Sequence, residues 1–340
     1  MSKSTPLPPK VFCGIDVSAE TLAVAAVLPD GPLRERAFAN TAKGHEALLA
    51  WLASLALSAR VSLESTGIYS MDLALALDRA AAVEVAVLNP KAVRRFASTL
   101  RRSKTDSADA QGLAEYSLRM RFIAWRAPSH AQLELRSLSR HLHSLTQEQT
   151  RIKNRMHVAR GSRTTAAAVL EDLKRELAHI AKRLLRLRRQ SMLLVRADST
   201  LCRHHDLLVT LPGIGSLSAV QLLGELTLLS PNMTLRQWVA HSGLDPAHQQ
   251  SGTSIHKPSR ISRHGNRHLR RALYMPALVA ARHDPCLTAF YQTLLARQKA
   301  KMQALIAVAR KLLHAIYGVL KTQTPYQGQK LFPQLQIHTA

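Results

Sequence analysis

Between residues 130 and 195 the chain spaces its apolar side chains with a regularity that leaves few folds open. Leu135, Leu138, Leu142, Leu145, Ile152 and Met156 follow at alternating steps of three and four, with Gln149 filling one position of the row. Leu170, Leu173, Leu177, Ile180, Leu184 and Leu187 repeat the pattern without a gap. Such steps place side chains along one stripe of a helix, the a/d seam of a coiled coil. The break at ARGSRTT (159–165) suits a turn between two antiparallel arms. Pairing within one chain and pairing between chains satisfy the spacing equally. The outer faces are basic, as in KRLLRLRRQ (182–190), which fits solvated helix surfaces. This coiled-coil region, 130–195, divides the chain into an α/β region over 10–125 and a helical region over 205–325.

The first region reads as three strands followed by alternating helices and strands. KVFCGID (10–16), TLAVAAVL (21–28) and LRERAFAN (33–40) are linked by short polar turns, the second of them PDG. GHEALLAWLASL (44–55), YSMDLALALDRAA (69–81), PKAVRRFASTL (90–100) and DSADAQGLAEYSLRM (106–120) are helical stretches, with RVSLES (60–65) and VEVAVLNP (83–90) as buried strands between them. The β-β-β-α-β-α-β-α order predicts a layered α/β domain built on a mixed sheet.

Acids fall at telling places in this pattern. Asp16 ends one apolar strand and Glu64 ends another, and strand ends in such sheets form the rim where ligands bind. In RRSKTDSADA (101–110), Asp106 and Asp109 stand three residues apart beside Arg101, Arg102 and Lys104. On a helix both carboxylates share a face. They suit a first helical turn, where acids favour the dipole, and they equally suit a shared cation. Four carboxylates in the order D…E…D-x-x-D match the arrangement of an RNase H-like nuclease core. Such a set would hold a hard divalent cation through oxygen, with the neighbouring basic residues meeting phosphates.

The partner follows from charge. Against 22 acidic residues stand 47 Lys and Arg, a formal net charge of +25 in a chain that is 46% hydrophobic. A globular chain this basic calls for a polyanion, and nucleic acid is the commonest one. Aromatics are only 4%, and no aromatic-rich amphipathic segment supports a membrane-surface role. No segment reads as a membrane span or signal peptide, and Cys13, Cys202 and Cys286 are scattered without a CxxC pair. A reducing, cytoplasmic setting is expected, without disulfides or a zinc knuckle.

In the third region LPGIGSLSAVQLLGEL (211–226) joins a Pro-Gly-x-Gly turn to an apolar helix, as in a helix-hairpin-helix element or a plain helix-linking turn. DPAHQQSGTSIHKPSRISRHGN (245–266) is polar and turn-rich, and a helix beginning RHLRRALYMPALVAARH follows it. Serines, arginines and a glycine gathered before a helix suggest phosphate handling.

These motifs together carry a resemblance. GIDVSAETL, LESTGIY, NPKAVRRFA, KTDSADAQGLAEY, LPGIGSLSA and SRISRHGNRHLRRALYMPA resemble the DEDD insertion-sequence transposases, from about residue 10 to 325. This is the family of bridge-RNA-guided DNA recombinases with a RuvC-like N-terminal domain. The resemblance implies that Asp16, Glu64, Asp106 and Asp109 bind Mg2+. It implies that Ser251 is the nucleophile, with Ser254, Ser259 and Ser262 nearby, and that strands are exchanged through a phosphoserine–DNA intermediate. A glutamine, Gln250, precedes Ser251 where some relatives carry an acid. Arg260, Arg263, Arg270 and Arg271 would hold the DNA backbone or offset charge in the transition state. Donor and target DNA, a bridge RNA and a homo-oligomer, dimer or tetramer, are the partners it implies. Two other readings use the same residues: a metal-dependent junction resolvase that activates water, and a non-catalytic basic coiled-coil scaffold for DNA.

Overall fold

The structure, a computed structural model, describes residues 10–28, 31–55, 58–65, 67, 69–100, 105–251 and 255–331. The chain forms two compact units, 1–127 and 128–340.

In the first unit β1 (Lys10–Val17), β2 (Thr21–Val27) and β3 (Arg34–Ala39) form an antiparallel meander. Helix α1 (Ala42–Leu55) leads to β4 (Ser58–Glu64), parallel to β1, and α2 (Met71–Arg79) leads to β5 (Val83–Leu88), parallel to β4. The sheet order is β3-β2-β1-β4-β5, followed in sequence by α3 (Pro90–Leu100) and α4 (Asp106–Arg119). Strand alternation sends Val11, Cys13, Ile15, Leu22, Val24, Val61 and Leu63 to one face, where they meet Leu48 and Leu52 of α1 and Leu73 and Leu77 of α2. The opposite face is lined with small residues, and Ala25 packs on Ala110 and Ala114 of α4. The exposed, charged strand β3 forms one edge, a device that discourages edge pairing. At the other edge the Trp125 N–H donates to the Val85 carbonyl at 2.7 Å.

Gly14 sets how closely α4 lies on β1. A Cβ there would stand 2.1 Å from the Ala110 carbonyl oxygen and 2.2 Å from the Ala114 nitrogen, both backbone atoms that cannot rotate away. Gly14→Ala is therefore expected to push α4 outward and destabilise the unit by about 1–3 kcal/mol, the usual cost of overpacking. A thermal melt checks the stability, and an accompanying fall in activity would show that the position of α4 matters to the rim it borders.

The second unit begins with α5 (His130–Gly161), opened by a capping box between Ser129 and Gln132, and α6 (Ala167–Ala197). Within this chain Leu142, Leu145 and Ile152 bury themselves against Leu173, Ile180 and Leu184. Next come α7 (Ser199–Leu208), α8 (Ser216–Leu226) and α9 (Leu235–Ser242). The polar stretch expected to be turn-rich contains an antiparallel hairpin, β6 (Pro246–Ser251) and β7 (Ile255–Ile261). The helix expected over 267–283 is broken at Leu273 into α10 (Arg267–Ala272) and α11 (Tyr274–His283). Pro276 explains the break, since it has no N–H to return to residue 272. Then come α12 (Pro285–Ala296) and α13 (Lys301–Thr322), and last the short α14 (Gly328–Leu331). Helix α13 is long and apolar enough to cross a membrane, but Leu305, Val308, Leu312, Leu313 and Ile316 are buried in the core of this unit.

Candidate functional site

The first unit gathers acids at one rim of its sheet. Asp16 lies near the end of β1, paired with Ala23 of β2. Ile15 pairs with Leu63, so Asp16 and Glu64 occupy neighbouring positions on adjacent parallel strands. Alternation turns both toward the α4 face, away from the core that takes Ile15 and Leu63. Helix α4 starts at this rim, its N-cap Thr105 accepting from the Ala108 N–H at 3.1 Å, with Asp106 and Asp109 in its first turn. Ser107 and Gln111 both donate to Glu35 of β3, tying the start of α4 to the sheet edge.

Asp106, Asp109 and Glu64 each stand near enough to Asp16 for their charges to act on it. Burial pushes the Asp16 carboxyl up, and the charges of Asp106, Asp109 and Glu64 push it further, to about 6. The donor chemistry, oxygen only on a partly exposed rim, fits a hard cation. Among the described residues, no three His, Cys, Asp or Glu side chains stand close enough to share one ion. Arg101, Arg102 and Lys104 lie outside the described residues.

Asn40 was not singled out by its sequence context, yet it joins the loops that follow the two acid-bearing strands. Its side-chain amide donates to the carbonyls of Ser18 at 2.8 Å and Tyr69 at 3.1 Å. Its oxygen lies 2.9 Å from His45 Nε2. A lone Asn after a strand carries no signal of such a role.

In the second unit Ser251 is the last residue of β6, opposite Ile255 of β7. Ser259 lies in β7, and Ser254 lies outside the described residues. At the hairpin base, the Ser262 hydroxyl donates to the Asp245 carboxylate, and its N–H donates to the Asp245 carbonyl at 2.8 Å. Arg260 and Arg263 are exposed, the latter with left-handed backbone at φ 54°. Arg270 reaches back to the Ser242 carbonyl at 2.8 Å, while the Arg271 guanidinium donates to His143 Nε2 on α5.

A buried acid organises this region. Glu225 of α8 has a side chain only 3% exposed, and Arg140 of α5 meets it with two hydrogen bonds of 2.7 and 3.0 Å. The Asn266 amide donates to the same carboxylate at 2.6 Å, while its oxygen caps α10 by accepting from the His268 and Leu269 N–H groups. Burial alone would raise the Glu225 pKa, but the Arg140 and Asn266 hydrogen bonds and the Arg140 and Arg136 charges hold it below the ordinary value. Gly265, at φ 137°, brings the chain against His241, where a Cβ would meet the carbonyl oxygen at 2.2 Å. Glu225→Ala leaves Arg140 and Asn266 unpaired, and a loss of about 3 kcal/mol or more is expected in a denaturant titration. A midpoint unchanged from wild type would show that water replaces the carboxylate.

The first unit carries an acid-rimmed mixed sheet, and the second, helical unit carries a serine-containing hairpin followed by Arg263, Arg267, Arg270 and Arg271. Comparison with known proteins gives the family. A DEDD transposase model of the IS110 group matches residues 13–159, and the model of the IS116/IS110/IS902 transposase family matches 205–292. The chain belongs to the IS110 family of DEDD transposases, whose two models together cover more than half of its length. It is 28% identical to the pilin gene-inverting protein of Moraxella bovis over 327 residues, 93% of this chain and 98% of that one. The pilin gene-inverting protein of Moraxella lacunata matches to the same extent. An uncharacterized 43.6 kDa protein of insertion element IS110 from Streptomyces coelicolor is 32% identical over 122 residues, 36% of this chain and 30% of that one. The protein is accordingly a DNA-recombining enzyme of the transposase class, and its mixed sheet fits an RNase H-like domain.

Proposed function

We propose that this transposase cuts and rejoins DNA through Ser251, assisted by Mg2+ held at Asp16, Glu64, Asp106 and Asp109. The observation that supports the metal half of the reading is the placement of Asp16 and Glu64 on adjacent strands with Asp106 and Asp109 in the first turn of α4, where burial and the three other acids raise the Asp16 carboxyl to about 6. A rim that concentrates like charge in this way is stabilised when a cation sits there. Mg2+ takes one or two carboxylates together with water and substrate phosphates, so a set of carboxylates spread along a rim suits it. When bound, Mg2+ supplies charge neutralisation at the scissile phosphate.

The chain's own residues supply the remainder. The Ser251 hydroxyl oxygen bonds to phosphorus, the bond from phosphorus to a sugar oxygen breaks, and the serine proton ends on the released sugar hydroxyl. The phosphodiester is conserved as a phosphoserine, and attack by an incoming sugar hydroxyl reverses the step and frees the serine. Arg260, Arg263 and Arg271, with Arg101, Arg102 and Lys104, hold backbone phosphates, and Arg270 fixes the segment that presents them.

Three parts then divide the work: a RuvC-like domain over 10–125, a coiled coil over 130–195 and a helical, serine-bearing domain over 205–325. The turn at 211–215, read as part of a helix-hairpin-helix, adds backbone N–H groups for a phosphate. A bridge RNA chooses donor and target by base pairing while the protein holds backbone and shape. A homo-oligomer, dimer or tetramer, in the cytoplasm completes the reading. It is tested by searching denaturing gels for a covalent protein–DNA adduct formed with Mg2+, donor and target DNA, and the RNA transcribed beside the gene.

A further inference from the structure

An open groove of about 540 Å3 lies between α5 and α10, and its walls include His143, Arg267, His268, Arg270, Arg271 and Tyr274. None of the residues lining it is acidic. It shares His143, His268 and Arg271 with a small niche lined also by Glu225, whose carboxylate is already taken by Arg140 and Asn266. Among the described residues Arg267 makes no hydrogen bond or ion pair and is exposed. The histidines report the local field: burial lowers the pKa of His143, and Arg271 and Arg267 lower it further. Burial likewise lowers His268, with Arg140 and Arg267 adding to the effect and Glu225 opposing it.

A solvated charge face would not need such a construction. Here three arginines of α10 stand along one wall opposite His143 and Gln147 of α5, and a buried carboxylate holds the two helices together by binding Arg140 of one and the N-cap Asn266 of the other. Ile261, the last residue of β7, forms part of the wall, so the groove begins at the base of the hairpin that bears Ser251.

We propose that this groove is a phosphodiester-backbone site, in which Arg267 and Arg271 contact phosphates and His143 and His268 complete the lining. It rests on the reading of the chain as a nucleic-acid recombinase and names a part of it that the acids and serine do not include. Uncharged, flat histidine rings between arginines leave room for a sugar-phosphate chain while the guanidinium groups carry the charge. Each phosphate neutralised contributes about 0.9 to the slope of log K against log salt on duplex DNA and about 0.7 on single strands.

The test is fluorescence anisotropy of the full chain with a DNA duplex and, separately, with an RNA hairpin, each over a salt series. Arg267→Ala/Arg271→Ala is expected to weaken binding about tenfold or more and to flatten the slope by about two. Arg267→Lys/Arg271→Lys, which keeps the charge, is expected to retain most of the slope, which separates loss of contacts from loss of fold. The arm in which the slope falls identifies DNA or RNA as the occupant. Wild-type binding matched by the alanine variant in affinity and slope, in both arms, overturns the site. Absence of binding by the wild type to either probe overturns the nucleic-acid reading itself.

Discussion

Ser251→Ala is expected to abolish strand joining, with a loss of at least about a thousandfold, because no second group takes over a missing covalent nucleophile. On a denaturing gel the wild-type chain is expected to leave a band of protein linked to DNA, and the variant none. Position supports the assignment. Ser251 closes β6 at the far end of the hairpin from the base, where Pro246 pairs with Ile261. Ser262, by contrast, sits at that base with its hydroxyl committed to Asp245. Ser262→Ala is therefore expected to weaken the hairpin anchor by about 1 kcal/mol, the usual worth of such a bond, while adduct formation persists. Should Ser251→Ala still cut DNA at the wild-type rate without any adduct, water is the nucleophile and the enzyme works as a resolvase. Should the adduct vanish only in Ser262→Ala, the hydroxyl held by Asp245 is the reacting one.

How much of this was legible beforehand varies by region, for physical reasons. In the first unit β1, β4 and β5 are apolar runs broken by polar turns, so their order and the rim acids at Asp16 and Glu64 could be read directly. The hairpin of β6 and β7 could not, since PAHQQS and IHKPSRI hold few β-branched residues and no apolar alternation. The break at Leu273 had a signal in Pro276, outweighed by the helical pattern on either side. The two leucine rows left pairing within and between chains equally open, and only contact settles that α5 lies on α6 of its own chain. Glu225 was the hardest to see. It is a single acid in an apolar helix, and its partners Arg140 and Asn266 stand 85 and 41 residues away in sequence. A buried charge of that kind is recognised by the groups that surround it, which spacing along the chain does not reveal.

Neutralising one aspartate of the α4 first turn is expected to remove activity and to stabilise the metal-free protein at the same time. Asp16 carries a folded-state pKa of about 6 against an ordinary 3.8, so between those values the folded chain holds a proton that the unfolded chain has lost. The unfolded state then binds fewer protons, and stability falls as pH rises from about 4 to about 6. Above that window the ionised carboxyl opposes folding in full, and below it the penalty disappears. A shift of this size corresponds to about 3 kcal/mol. Because Asp16 is only half buried, screening leaves a cost on the order of 1 kcal/mol. Asp106→Asn or Asp109→Asn removes one of the charges responsible, so the Asp16 pKa falls and the thermal midpoint rises at pH 7.5 but not at pH 4. Carboxyl NMR of Asp16 and melts at the two pH values check the two halves of that statement. Added Mg2+ should raise the wild-type midpoint at pH 7.5 and raise that of Asp106→Asn much less. Strand cutting should fall by about a hundredfold or more in either variant, since a lost charge clamp at a phosphoryl group removes several kcal/mol of transition-state stabilisation. A stability gain with undiminished cutting would make the four acids structural and return the chain to the scaffold reading. Gain and loss together would mean that the rim tolerates its own repulsion for the sake of the cation it holds, which is why a basic stretch such as RRSKTDSADA keeps two aspartates on one helical turn.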